Sequence, residues 1–232
     1  MERRMKLGVI SDIHNNPVAL EAVLSEFDRR GVEMIICLGD VIGIGPMPQE
    51  AADMVRGIPN LVACLRGNHE DYLLEGDYDA MDDEERALHR WEHGILSAEA
   101  KAFLAATRRE IKLEMEGVTI WAAHYPMENG GFLRARRDTA AGACPPARVC
   151  LFGHDHPRFM RCEAGRLLLD FGSLGCPGKA RNVARGGILH LRDGRCGAET
   201  VDVTYDVDRV LRAMDQRGMP ARDTVRRIFY GV

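Results

Sequence analysis

Short unbroken apolar runs, each ending in a knot of polar residues, set the rhythm of the first third of the chain. Lys6 to Ile10, Met34 to Leu38 and Asn60 to Leu65 are too short for helices and too continuous for half-exposed strands. They read as strands buried on both faces, the pattern of a parallel sheet. Between them the apolar spacing turns helical. Pro17 opens a helix with Val18, Leu20, Ala22, Val23, Leu24 and Phe27 on one face, closing near Gly31. A glycine- and proline-rich loop, Gly43-Ile44-Gly45-Pro46-Met47-Pro48, leads into a second helix from about Gln49 to Val55. Strands separated by helices define the α/β class with a parallel portion.

The rest of the chain changes character. After an acidic run, Asp77 to Glu85, helices are expected at about 84–94 and 98–107, the second started by Ser97. Lys112–Met115 and Val118–Ala123 flank Glu116-Gly117 as a hairpin. Arg148 to Phe152 is one more buried strand. Two further hairpins follow, Phe159–Cys162 with Leu167–Asp170, and Gly187–Leu191 with Ala198–Val203. The tail, Asp206 to Met214 and Arg222 to Tyr230, reads as two amphipathic helices. With no internal repeat or low-complexity linker, residues 1–232 are expected to form a single domain, with a C-terminal helix pair at about 206–231.

Composition excludes several classes. The chain has 232 residues, 46% hydrophobic and 28% charged, with a formal net charge of −4. That balance argues against a general nucleic-acid binder, which needs a basic excess. No apolar run approaches the ~20 residues that span a bilayer, and the short run after Lys6 is no signal-peptide core. A cytoplasmic location is the expectation. The seven cysteines include no C-x-x-C pair. Cys37, Cys64 and Cys150 sit in apolar runs and read as small buried hydrophobes, not as a metal site.

The polar knots are where the chemistry gathers. Strand ends supply Asp12 and His14, Asp40, Asn68 and His69, His124, then His154 and His156. Carboxylate, amide oxygen and imidazole suit borderline divalent metals. Asp12 with His14, and His154 with His156, are two residues apart, so on an extended strand each pair points one way. Eight groups exceed the roughly four ligands of one tetrahedral ion, so two ions are expected. Ions of like charge ~3.5–4 Å apart need a shared anionic ligand, and Asp40 is the candidate. Singly, each knot has a plainer reading. Ser11, Asp12 and Asn15 could cap the helix at Pro17, Gly39-Asp40 could be a turn, and His124 could be a hydrogen-bonded core histidine.

Taken in order, Asp12-x-His14, Gly39-Asp40, Gly67-Asn68-His69-Glu70, His124 and Gly153-His154-x-His156 resemble the calcineurin-like metallophosphoesterase superfamily. Within it the chain is similar to the branch of YfcE-like phosphodiesterases and asymmetric dinucleoside tetraphosphatase-like proteins. The likeness extends to Phe171-Gly172-Ser173-Leu174-Gly175 and the C-terminal helix pair. It implies a four-layer α/β-β/α sandwich of the metallo-dependent phosphatase type. It also implies two divalent ions, manganese first, with iron, zinc, nickel or cobalt as alternatives. One ion would be held by Asp12, His14 and His156, the other by Asn68, His124 and His154, with Asp40 bridging. His69 would act on the leaving oxygen as an imidazolium while a metal-bridging hydroxide attacks phosphorus. The implied function is hydrolysis of a phosphodiester or nucleoside polyphosphate, the substrate being a small phosphate ester or nucleotide. A phosphomonoesterase, or a non-catalytic scaffold of the same fold, is the alternative.

Three positions depart from the branch: Asn15 after the Asp-x-His pair, Tyr125 after His124, and Asp170-Phe171 before the Gly-Ser turn. All three are expected to border the substrate pocket, with Tyr125 narrowing the approach or stacking on a base. Arg66, and Arg136 with Arg134 and Arg137, are candidate cations for further phosphates. Whether the C-terminal helices cover the site or build a homo-oligomer is left open by the sequence.

Overall fold

The computed structural model describes residues 4–76, 78, 81–125, 127–128, 131–132, 144–176, 178 and 182–232. In chain order the elements are β1 (Met5–Ile10), α1 (Pro17–Arg29), β2 (Met34–Cys37), α2 (Pro48–Arg56), β3 (Leu61–Cys64), α3 (Asn68–Glu75), α4 (Asp83–Ile95) and α5 (Ala98–Ala105). Then come β4 (Glu110–Met115), β5 (Val118–Ala123), β6 (Met127–Glu128), β7 (Gly131–Phe132), β8 (Val149–Phe152), β9 (Phe159–Glu163) and β10 (Arg166–Asp170). The chain closes with β11 (Val183–Arg192), β12 (Arg195–Thr204), α6 (Val207–Gln216) and α7 (Arg222–Val225).

Two five-stranded mixed sheets, ordered β12-β11-β1-β2-β3 and β4-β5-β8-β10-β9, carry the fold. In the first, β1, β2 and β3 run parallel. In the second, β5, β8 and β10 do. Strand alternation divides the apolar runs between separate cores. Leu7 and Val9, Ile36, Val118, Ile120 and Ala122, and Val149 and Leu151 meet between the sheets. The opposite face of the first sheet carries Ile35, Cys37 and Ile188 against α1, α2 and the C-terminal elements. Gly8 lies on that face because a Cβ there would come within 2.6 Å of the Phe27 ring of α1. Trp121, Cys150, Phe152 and Leu168 form a third cluster on the outer face of the second sheet. Two mixed sheets with helices outside them make the expected α/β sandwich.

Some expectations need adjustment. β3 is only half-buried along its length, Cys64 included, because it is the edge of its sheet. The second tail helix is one α-turn, continued by a π-turn over Arg226–Tyr230. The cap of α1 is Asn16, whose side chain accepts the Ala19 N–H at 3.0 Å, so Asp12 and Asn15 are released from that duty. Among the described residues no helix is long and apolar enough to cross a membrane.

Candidate metal centre

Every predicted ligand lies just beyond the C-terminal end of a parallel strand, so the two sheets deliver them to one edge of the sandwich. Strand alternation is not what aims them. β1 stops at Ile10 and β8 at Phe152, before the paired residues begin. Asp12 and His14 take φ of 53° and 49°, and His154 and His156 take 72° and 64°. Asn15, Asp40 and Ile44 are also left-handed, at 55°, 51° and 67°. Non-glycine residues in this region cost of order 1–3 kcal/mol each and persist where the surroundings over-determine them. Here the Asp12, His14 and Asn15 amides donate to the carbonyls of Gly39, Asp40 and Val41, each at 3.0 Å, locking the first turn onto the second.

The donor atoms face one another at close range. His14 Nε2 is 2.9 Å from His156 Nε2 and 3.8 Å from both Asp12 Oδ1 and Asp40 Oδ2. His124 Nε2 lies 3.2 Å from Asp40 Oδ2 yet is not aligned for a hydrogen bond. Its Nδ1 donates to the Leu38 carbonyl at 3.0 Å, which turns Nε2 toward the Asp12 and Asp40 carboxylates. His154 Nδ1 is 2.8 Å from Asn68 Oδ1, and His156 Nε2 is 3.6 Å from Asp12 Oδ1. Two groups of potential ligand atoms, His14-Asp40-His69 and Asp40-His124-His154, fall within 4.8 Å of one another, and Asp40 belongs to both. A third joins His14 and His156 to Cys176. Burial pushes the Cys176 thiol well up, toward the protonated form.

Protonation follows from burial and neighbours. Burial resists ionisation of Asp40, but the imidazoles of His124, His69 and His14 hold its carboxyl well below the usual carboxylate range. Burial would lower His124; Asp40 and Asp12 lift it to about 10 instead. Burial, then His156, drives His14 well down, and burial also lowers His154. Two carboxylates and four imidazoles, with Asp12, His14, Asp40 and His124 almost wholly out of solvent, crowd their polar atoms into one buried space. The donor set fits divalent metal ions.

Two buried glutamates support these turns, and the pattern of strand ends by itself marks neither of them. Glu70 is fully buried and accepts the backbone N–H groups of Asp40, Val41, Ile42 and Gly67 at 2.7–3.3 Å. Its spacing three residues after Gly67 is that of a helix-capping glutamate, a signal that could have found it. Gly67 packs so closely that a Cβ would sit 2.1 Å from Asp40 Oδ1. Glu92 of α4 is equally buried. It accepts from Asn15 Nδ2 at 2.8 Å and the Gly43 N–H at 2.5 Å, and approaches His89 Nδ1 at 3.5 Å. Gly43 in turn lies under the His69 ring, where a Cβ would come within 2.2 Å.

The remaining predicted residues sort differently from expectation. His69 stands beside the donor cluster, its ring 5.1 Å from that of His14 and 5.3 Å from that of His89. Burial lowers its pKa against the pull of Asp40, which favours a neutral ring donating an N–H over a standing imidazolium. Arg66 does not face the centre: its Nη2 donates to the carbonyls of Ala105 and Thr107 at 2.8 and 3.1 Å, tying down the end of α5. Of the three departures only Tyr125 reaches the mouth of the site. Its ring is 5.2 Å from His154 and its hydroxyl donates to Asp71 Oδ2, which Arg109 also holds. Asn15 is buried under Glu92, and Asp170 is a buried acid accepting the Gly172 N–H at 2.7 Å. Arg134, Arg136 and Arg137 lie outside the described residues. The C-terminal segment packs on the site itself, with the Phe229 ring 6.0 Å from His156 and the Tyr230 hydroxyl donating to the Gly175 carbonyl.

A centre of this donor set, at the strand ends of a two-sheet α/β sandwich, defines a metal-dependent phosphoesterase. The chain belongs to the calcineurin-like phosphoesterase superfamily, whose domain model matches residues 5–194. It is 28% identical to the uncharacterized protein MJ0912 of Methanocaldococcus jannaschii, over 92% of this chain and 93% of that protein. It is 35% identical to the phosphodiesterase YfcE of Escherichia coli K12 over 72 residues, 28% of this chain and 39% of YfcE. Among solved structures, a metallophosphoesterase from Sphaerobacter thermophilus superposes with a TM-score of 0.75 at 25% identity, covering 99% of this chain and 100% of that one.

Proposed function

We propose that the chain hydrolyses a phosphodiester or nucleoside polyphosphate with two divalent ions, manganese being the first choice. Asp12, His14 and His156 would hold one ion, Asn68, His124 and His154 the other, and Asp40 both. The observation that carries this reading is the position of Asp40, whose carboxylate lies within 4.8 Å of His14 in one group of donor atoms and of His124 and His154 in another. When bound, the ions supply charge neutralisation for the phosphoryl oxygens and a lowered pKa for water. The chain's own residues do the rest. Glu70 fixes the loop that carries Asp40, and the Asp40 carboxylate accepts the His69 amide at 3.0 Å, so bridge and acid–base group move as one. His69 offers a ring N–H to the departing oxygen, and steadying developing charge with one such donor is worth ~10²–10³-fold. Tyr125 narrows the approach. YfcE carries the name of a phosphodiesterase, which supports the choice of ester.

The test measures bound metal and hydrolysis of bis-p-nitrophenyl phosphate with manganese. Asp40→Ala and His154→Ala should lose both metal and turnover. His69→Ala should keep its metal and lose about a hundredfold or more in kcat. Undiminished turnover in Asp40→Ala would end the mechanism, and metal loss in His69→Ala would make that residue a ligand.

A further inference from the structure

A cleft of about 290 Å³ opens beside His69. Its apolar wall is built by Leu88 of α4 and by Val225, Ile228 and Phe229 of the C-terminal segment, over Ile44. The two sides are joined where the Thr224 hydroxyl donates to Glu84 at 2.7 Å. Phe229 also meets the His156 ring, so one side chain borders both the cleft and the metal centre. Ile228 is 58% exposed, a large apolar side chain held in water next to a reaction site. Beside His69, His89 and Thr224, the polar lining holds three acids, Asp82, Glu84 and Glu85, with no lysine or arginine among the described lining residues.

We propose that this cleft receives the leaving group of the substrate, and that the leaving group is a nucleoside, held through its base and hydroxyls without further phosphates. The proposal rests on the reading of His69 as the residue beside the leaving oxygen. A group departing next to His69 must occupy the space His69 borders. An aromatic ring and branched aliphatic side chains suit a flat base, and stacking of this kind is worth roughly tenfold in affinity per base. Carboxylates are acceptors only, so they match the hydroxyls of a ribose and the amino group of a base. They repel phosphate, since a cleft lined by one sign of charge concentrates ligands of the other. The volume stands at the lower end of the ~300–1,000 Å³ of small-molecule sites, room for one nucleoside and not for a dinucleotide. Of the two substrate classes above, the esters of nucleosides are favoured over anhydrides that release a charged nucleotide.

Binding of adenosine to the manganese-loaded protein by calorimetry, and its inhibition of bis-p-nitrophenyl phosphate hydrolysis, read the cleft in two independent ways. Adenosine should bind and inhibit. Phe229→Ala should weaken both effects about tenfold, with inhibition by inorganic phosphate unmoved. Ile228→Ser, at a position 58% exposed and so little involved in the core, should weaken adenosine in the same direction. Glu85→Lys should tighten adenosine 5′-diphosphate relative to adenosine by about tenfold. Adenosine that fails to bind the native protein, or binds all three variants as it binds the native one, overturns the proposal. A protein that binds adenosine but turns over no phosphate ester keeps the cleft and overturns the hydrolase reading.

Discussion

At the scale of the residue, the site is a set of buried groups that are tolerable only together. Glu70 shows how much rests on one side chain. Replacing it with alanine would strand four buried backbone donors around Asp40, each unsatisfied group costing about 1–3 kcal/mol. Glu70→Ala should therefore lose at least about 3 kcal/mol in urea unfolding, and a loss within error would show that the loop stands without it. Gly67→Ala forces a Cβ toward Asp40 Oδ1. It should leave the secondary structure intact while metal affinity falls at least tenfold; unchanged metal titration would mean that the two loops part without cost.

At the scale of the element, α4 and α1 act as buttresses of different kinds. α4 places Glu92 against Asn15 and Gly43, and so couples the first two ligand turns to the floor under His69. By contrast α1, on the outer face of the first sheet, is tied down by charge, since Glu26 accepts from Arg29 and Arg30, and Arg30 also reaches Glu199 of β12. The two guanidiniums hold the Glu26 carboxyl down at about 2. Its folded-state value lies below its unfolded one, so its contribution is present above the ordinary carboxylate value and fades as pH falls toward 2. The native protein and Glu26→Gln should differ in Tm near pH 6 and converge in acid. Divergence in acid would reverse the sign of the argument.

At the scale of the whole molecule, the two sheets each carry about half of the proposed ligand set, so bound metal should fasten one sheet to the other. A ligand that binds only the folded state stabilises it by about 2.7 kcal/mol at a hundred times its Kd. Stripping the protein with a chelator should lower Tm by several degrees, about 2–4 °C for each kcal/mol in a chain of this size, and manganese should restore it. A Tm indifferent to chelation would mean that the centre holds no ion in the folded protein.

The sequence by itself determined the strand ends as the place of chemistry. Continuous apolar runs can only be buried strands, and parallel strands in open sheets bring their C-terminal ends to one edge. Asp12, His14, Asp40, Asn68, His69, His124, His154 and His156 were legible for that reason. What joins them was not. Extended-strand spacing is a local rule, and the left-handed turns at Asp12, His14, His154 and His156 are imposed by hydrogen bonds from other strands. Arg66 looked like a phosphate ligand because its target, the end of α5, lies some forty residues away in sequence. Glu70, Glu92 and the cleft between α4 and the C-terminal segment depend on partners 28 to 140 residues distant. Composition and spacing record which groups a chain can offer, and only the packed structure decides which of them meet.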